Sequence, residues 1–245
     1  MESTSISNSA SIGAILLAAK LCEWRGQWPE AARLASVALE QDDRILEAYQ
    51  QRALARRLLG DLDGAIEDYD RSIQIDPLCD WAWEFRGACR STLAGRLPRD
   101  QMLDLQAKAE LDYRQAAKLD PANERATLSM IEAAICADRY RAAFGYAGEA
   151  WSAIRCPRLR VVAAWLGCIA GILAERPPRT WDRYLQALRA RQSSLGPLTW
   201  CVAEINSALR RLEAEGRHDC GTLARLTEVH DLFLSHFGEG GPALR

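Results

Sequence analysis

The feature that most constrains this chain is an internal period. Shifting the sequence by 34 residues lays Gly26 on Gly60, Ala31 on Ala65, Leu39 on Ile73, Tyr49 on Trp83, Arg52 on Arg86, Ala53 on Gly87 and Leu59 on Leu93. Beyond Leu93 the offset becomes 44: Ala65 falls on Ala109, Asp68 on Asp112, Tyr69 on Tyr113, and Ile75-Asp76-Pro77 on Leu119-Asp120-Pro121. It then returns to 34, with Ala109 on Ala143 and Ala116 on Ala150. A fixed period of roughly 20–50 residues belongs to repeat architectures, in which each unit buries its apolar face only by stacking on the next.

Each period reads as two helices. Between Ile45 and Leu59 the apolar residues Leu46, Tyr49, Ala53, Leu54 and Leu58 recur three and four apart, the spacing of one helical face. Gly60 suits a left-handed cap and Asp61 can cap the helix that follows. That second helix, Leu62 to Ile75, puts Ala65, Ile66, Tyr69, Ser72 and Ile73 on one side. Pro77 lacks an N–H, so it closes one unit and opens the next. Ala53 against Ala65, and Gly87 against Ala109, supply the small residues that two closely crossing helices need, and Tyr69 and Tyr113 fill the space between neighbouring hairpins. The ten residues added between Leu93 and Ala109 contain Pro98 and then run from Arg99 to Lys118 without a breaker. They predict a lengthened second helix that projects beyond its neighbours.

The stretch Tyr49, Ala53, Gly60, Ala65, Tyr69, Ser72, Pro77, repeated as Trp83, Gly87, Ala109, Tyr113, Ala116 and Pro121, resembles the tetratricopeptide repeat family. Arg52-Ala53 and Arg86-Gly87 depart from the family's usual apolar-glycine pair. The resemblance implies an all-α fold, a right-handed superhelical solenoid of about six antiparallel helix hairpins. The clearest repeats cover 45–121, the insertion lies near 95–105, and degenerate repeats fill 157–237. Residues 1–10 are expected to be a disordered N-terminal segment, 11–237 a single solenoid, and 238–245 a flexible tail.

In such a solenoid the first helix of each hairpin lines the inner surface, where family members bind an extended peptide or partner segment. Carried over position by position, that groove takes Leu16 and Lys20 from the first unit. The second gives Glu47, Gln50, Leu54 and Arg57, and the third Trp81, Glu84, Phe85 and Ala88. Later units give Arg125, Leu128, Glu132, Ala164, Trp165 and Cys168. The family's carboxylate clamp would require Lys and Asn where Leu16, Lys20, Gln51 and Leu54 stand, and Lys and Arg at Trp81 and Phe85. Only Lys20 has a suitable charge, which argues against a chaperone-tail receptor. Trp81 and Phe85, four apart on one helix, are read instead as aromatic anchors, with Trp83 taking the packing position; the other reading, stronger for Phe85 than for Trp81, is core packed between hairpins.

Charge and composition narrow the remaining classes. The formal net charge of −2 gives no overall attraction to nucleic acid or anionic lipid. Glu40 to Asp80 holds eleven acids and five arginines, net −6, while Arg155 to Arg191 holds eight arginines and two acids, net +6. Such runs are usually solvated outer faces; the sharper reading is a bipolar solenoid whose ends meet partners of opposite sign, or one another head to tail in a homo-oligomer, with salt-sensitive association. The eight cysteines are spaced without a C-x-x-C half-site and read as reduced, mostly buried thiols. No phosphate-binding loop, metal spacing or nucleophile elbow is present, so neither enzyme nor cofactor is expected. The apolar run Ile12 to Ala19 is too short to span a bilayer and is not preceded by basic residues, which points to the cytoplasm. The expected function is a protein-interaction scaffold or adaptor, an assembly factor or chaperone being a special case. The alternative is a helical-repeat RNA binder using the basic 155–191 region.

Overall fold

A computed structural model describes residues 11–190, 200 and 202–237. The segments 1–10 and 238–245, expected to be disordered, lie outside the described residues. Twelve α-helices are described: α1 Ile12–Trp24, α2 Trp28–Gln41, α3 Leu46–Leu59, α4 Leu62–Ile75, α5 Asp80–Ala94, α6 Arg99–Leu119, α7 Glu124–Cys136, α8 Tyr140–Ala153, α9 Pro157–Leu173, α10 Pro178–Arg189, α11 Ala203–Ala214 and α12 Cys220–Leu234. No strand occurs among the described residues. The chain divides into two compact units, residues 1–89 and 90–245.

In the first unit, α1 pairs with α2, α2 with α3, and α3 with α4. The turn between α3 and α4 forms as its residues dictate. Gly60 takes φ 84°, and the N–H groups of Gly60 and Asp61 donate to the carbonyls of Arg57 and Arg56 at 3.1 and 3.0 Å. Asp61 Oδ1 then accepts from the Gly64 N–H at 3.1 Å, capping α4. Ala53, Ala65 and Tyr69 are fully buried. A charged knot ties the pair: Arg52 grips Asp68 with two nitrogens at 2.6 and 2.9 Å, and Arg56 adds a third contact at 2.9 Å.

In the second unit α6, α7, α8, α9 and α10 pack in succession. Helix α6 has 21 residues where α2, α4 and α8 have 14, the lengthening foreseen from the slipped period. Its extra turns do not stand free. Met102 is buried and accepts a contact from Arg211 Nη1 at 2.8 Å, while Arg99 pairs with Asp138 and Glu215. Every residue of α9 from Val161 to Leu173 is buried. Gly167 and Gly171 let α10 approach: a Cβ added to them would lie 2.8 Å from the Tyr184 ring and 2.7 Å from the Trp181 ring.

The last two helices depart from simple continuation of the stack. Helix α11 packs on α7, and α12 packs on α9 and α10. Trp165 of α9 stacks on Phe233 of α12 with centroids 4.3 Å apart and planes at 12°. At the end of α11, Arg217 reaches Asp138 at 2.7 Å and Glu215 at 3.3 Å. Burial alone would raise the Asp138 pKa, but hydrogen bonds from Arg217 and Tyr140, with the charges of Arg217 and Arg211, hold it below the ordinary carboxylate value.

The seven described cysteines are free thiols, with Cys79, Cys89, Cys136 and Cys168 buried; Cys201 is outside the described residues. No described helix is long and apolar enough to cross a membrane.

Candidate functional site

Within the first unit the first helices of successive hairpins converge on one cavity of about 440 Å³. Lys20, Glu47, Gln50, Leu54, Trp81 and Phe85, all on the inner surface drawn from the sequence, line it. Glu23, Leu46, Gln51 and Tyr69 line it as well; of these the carry-over had named only Gln51, at a clamp position. The signal for two of them was the helical step: Glu23 is three residues beyond Lys20 on α1, and Gln51 four beyond Glu47 on α3. Tyr69 belongs to a second helix, so a register that counts only first helices passes over it.

An aromatic cluster forms the apolar part of the cavity. The fully buried Tyr69 ring lies 6.2 Å from Phe85 at 22°, and 6.2 Å from Trp81 edge-on at 86°. Trp81 and Phe85 meet at 5.8 Å, and the Arg57 guanidinium sits over Phe85 at 5.0 Å. Trp81 and Phe85 are therefore half-buried, held on one side by Tyr69 while still lining the cavity. Trp83 does not take over their packing position. It donates its indole N–H to the Pro77 carbonyl at 3.0 Å and lies under the Arg86 guanidinium at 4.6 Å.

The polar part is unusual in what it leaves unpaired. Lys20 Nζ holds Glu23 Oε2 at 2.9 Å, but Glu23 Oε1 is buried without a hydrogen-bond partner. Gln51 donates its amide to the Leu16 carbonyl and to Glu47 Oε1, both at 3.3 Å, leaving its own Oε1 buried and unpartnered. Arg57 Nε and Tyr69 Oη also lack a hydrogen bond of normal geometry. Burial pushes the Tyr69 phenol well above its ordinary value, and the Cys89 thiol up to about 12, with Arg57 opposing both. Gln50 turns to Cys79, at 3.7 Å from its sulfur.

The other positions expected on the inner surface fall elsewhere. Leu16 is core, buried with Ile15, Ala38, Leu39 and Ala48, and offers only its carbonyl. Glu84 and Ala88 are half-buried on α5. Arg125 is exposed with its guanidinium 5.7 Å from the Trp200 ring. Leu128, Ala164, Trp165 and Cys168 are fully buried and Glu132 nearly so, because α11 and α12 pack against α7 and α9. As surface positions these five are corrected: they are interior to the second unit. Burial, and then the charge of Glu204, raise the Glu132 carboxyl well above its ordinary value.

The basic stretch of the second unit is an exposed set of arginines, three of which lie over the chain's own rings: Arg160 on Trp151, Arg176 on Phe144 and Arg183 on Tyr184. The described residues contain no group of three or more His, Cys, Asp or Glu that could hold a metal ion.

The fold defines a helical-hairpin repeat protein, with a cavity lined chiefly by the first helices of the hairpins of its first unit. The sequence profile of the tetratricopeptide repeat matches residues 46–79, which are α3, α4 and the turn after them. Among solved structures the chain is similar to YrrB, described as a TPR protein with an unusual peptide-binding site, at 11% identity and TM-score 0.61, covering 90% of this chain and 94% of that one. It is similar to MamA from Desulfovibrio magneticus RS-1 at 15% identity and TM-score 0.59, covering 74% and 97%. PilF of Pseudomonas aeruginosa gives 15% identity and TM-score 0.54, covering 92% and 94%. No curated protein matches the sequence. Residues 46–79 thus match one tetratricopeptide repeat, and the chain as a whole shares the fold of those solved structures.

Proposed function

We propose that this protein is an interaction scaffold that holds a segment of a partner protein in the cavity of its first unit. The observation that carries this reading is the convergence of six separately positioned inner-surface residues, Lys20, Glu47, Gln50, Leu54, Trp81 and Phe85, on one open space of about 440 Å³. Half-buried aromatics at the centre and polar side chains around them are the composition of a binding hot spot with its rim. That one of its structural relatives is described as carrying a peptide-binding site is in keeping with this role.

The test is site-specific photocrosslinking in cells. A benzophenone amino acid replaces Trp81 in one variant and Glu67, exposed on α4, in another. The scaffold role predicts a discrete crosslinked polypeptide from position 81 that is missing from position 67. Equal crosslinking at both positions, or none at 81, would remove the cavity as the docking site.

A further inference from the structure

We infer that the first-unit cavity reads a basic side chain, best an arginine, on the partner segment. This rests on the docking role proposed above and assigns the chemistry of the occupant.

The argument starts from unpaired acceptors. A buried polar atom without a partner carries its full desolvation cost, so several around one space mark the chemistry that is to fill it. Glu23 is 7% exposed and Gln51 is 4% exposed, and both leave one oxygen unpartnered in this cavity. Which amide atom Gln51 presents is settled by its surroundings: its nitrogen has two acceptors, Leu16 O and Glu47 Oε1, so the oxygen is the free end. Both vacant groups are therefore acceptors, one of them a carboxylate. Their complement is a group with several N–H donors and a positive charge.

Charge selects the same ligand. The charged side chains lining the cavity are Lys20, Glu23 and Glu47, with Arg57 set over Phe85 beside it. Lys20 is already committed to the other Glu23 oxygen at 2.9 Å. A cationic donor satisfies the two unpaired acceptors, whereas an acidic side chain would meet two carboxylates and a neutral apolar one would leave the acceptors unpaired. The π-face of Trp81, with Phe85 and Tyr69 behind it, favours a cation, and a planar guanidinium can stack there while donating at its edge. The surrounding Glu40–Asp80 stretch, net −6, draws a basic segment toward the site.

The experiment uses the full chain. Phage-displayed random peptides are selected on the wild type, and the best sequence is synthesised with its basic residue intact or changed to Gln. Affinity for each is read by fluorescence anisotropy on wild type, Glu23→Gln, Glu47→Gln and Trp81→Ala, with thermal melts confirming that each variant folds. Glu47 is exposed, so its variant keeps the test informative if Glu23→Gln does not fold. The inference expects an arginine at one fixed position among the selected peptides, and about tenfold weaker binding of the Gln peptide, the scale of one charge-assisted hydrogen bond. Glu23→Gln should weaken the arginine peptide about as much and leave the Gln peptide nearly unchanged, with a smaller loss in Glu47→Gln. Peptides that need Trp81 yet show no basic residue would overturn the arginine assignment while the docking site stands. Selection of nothing that depends on Trp81 would sink both.

Discussion

The two units treat equivalent surfaces in opposite ways. In the first, the inner positions of α3 and α5 stay half-exposed, and Leu54, Trp81 and Phe85 face a cavity. In the second, the inner positions of α7 and α9 are core: Leu128 and Trp165 are fully buried, with α11 and α12 packed against those helices. The same register in the repeat therefore gives an open cavity in one place and a hydrophobic interior in the other. What decides is the composition of the first helix. Helix α3 carries Glu47, Gln50, Gln51, Arg52, Arg56 and Arg57, and a helix so loaded cannot be covered without partners for its charges. Helix α9 has no charged residue from Val161 to Leu173, and a helix apolar on every side must be enclosed on every side.

The largest effect that would break this comparison comes from its two tryptophans. Trp165→Ala deletes a fully buried ring stacked on Phe233, and should cost about 3–5 kcal/mol, lowering the melting midpoint of the whole chain or separating the unfolding of the second unit. Trp81→Ala removes a ring that is only half-buried, and should cost about 1 kcal/mol or less in stability while abolishing segment binding. Calorimetry on the two variants decides it. Comparable losses from both would mean that Trp81 is core and that the open face of the first unit is not a separate functional surface.

A second, smaller effect sharpens the contrast through charge. Glu132 occupies an inner position that α11 covers, and burial, with Glu204 adding to it, raises its carboxyl above the ordinary 4.5. Between pH 4.5 and its raised folded value, the folded chain keeps a proton that the unfolded chain has released. The unfolded state then binds fewer protons, so this residue makes stability fall as pH rises. Glu132→Gln keeps the shape of the protonated acid with no proton to lose. It should stabilise the second unit by about 1–2 kcal/mol at pH 8, with the advantage shrinking toward pH 4.5. Melting curves across that range test the sign. An advantage that is constant with pH would show that the carboxyl is already paired and charged under α11.

Much of this was legible in the residues, and the failures have physical causes. The 34-residue period fixed the hairpins because Gly60, Ala53, Ala65 and Tyr69 each answer a local requirement of cap, crossing or plug, and none depends on distant chain. The insertion was readable as added helix because no breaker interrupts Arg99 to Lys118. Six lining residues of the cavity were among the positions that the family resemblance implied for the inner surface. Leu128, Glu132 and Trp165 were misplaced because register states which face a residue occupies, but not what later segment packs on it. That information lies in α11 and α12, about 75 and 70 residues further along, and depends on tertiary packing that outweighs the repeat pattern. The uncharged run of α9 was the available warning. The unpaired acceptors at Glu23 and Gln51 had no sequence signal, since a hydrogen bond that is not made leaves no periodicity.

The smallest expected effect concerns the turns, where the units again differ. Between the helices of a hairpin the first unit places glycine in the left-handed region, Gly26 at φ 69° and Gly60 at φ 84°. In the second unit Asp138 at φ 60° and Glu175 at φ 54° occupy corresponding turns. A side chain there costs about 1–2 kcal/mol through its Cβ, which Asp138 recovers through its arginine partners. Glu175 is exposed at the turn between α9 and α10, with nothing of that kind to hold it. Glu175→Gly should therefore stabilise, but by less than the full strain, because glycine also gains about 0.5–1 kcal/mol of freedom in the unfolded chain. The net expectation is about 0.5–1 kcal/mol, or a rise of about 1–4 °C for a chain of this size. Gly60→Ala should move the midpoint the other way by a similar amount. If Glu175→Gly is neutral or destabilising, its carboxylate contributes at the start of α10, and the second unit's turns are then held by charge as its first helices are held by burial.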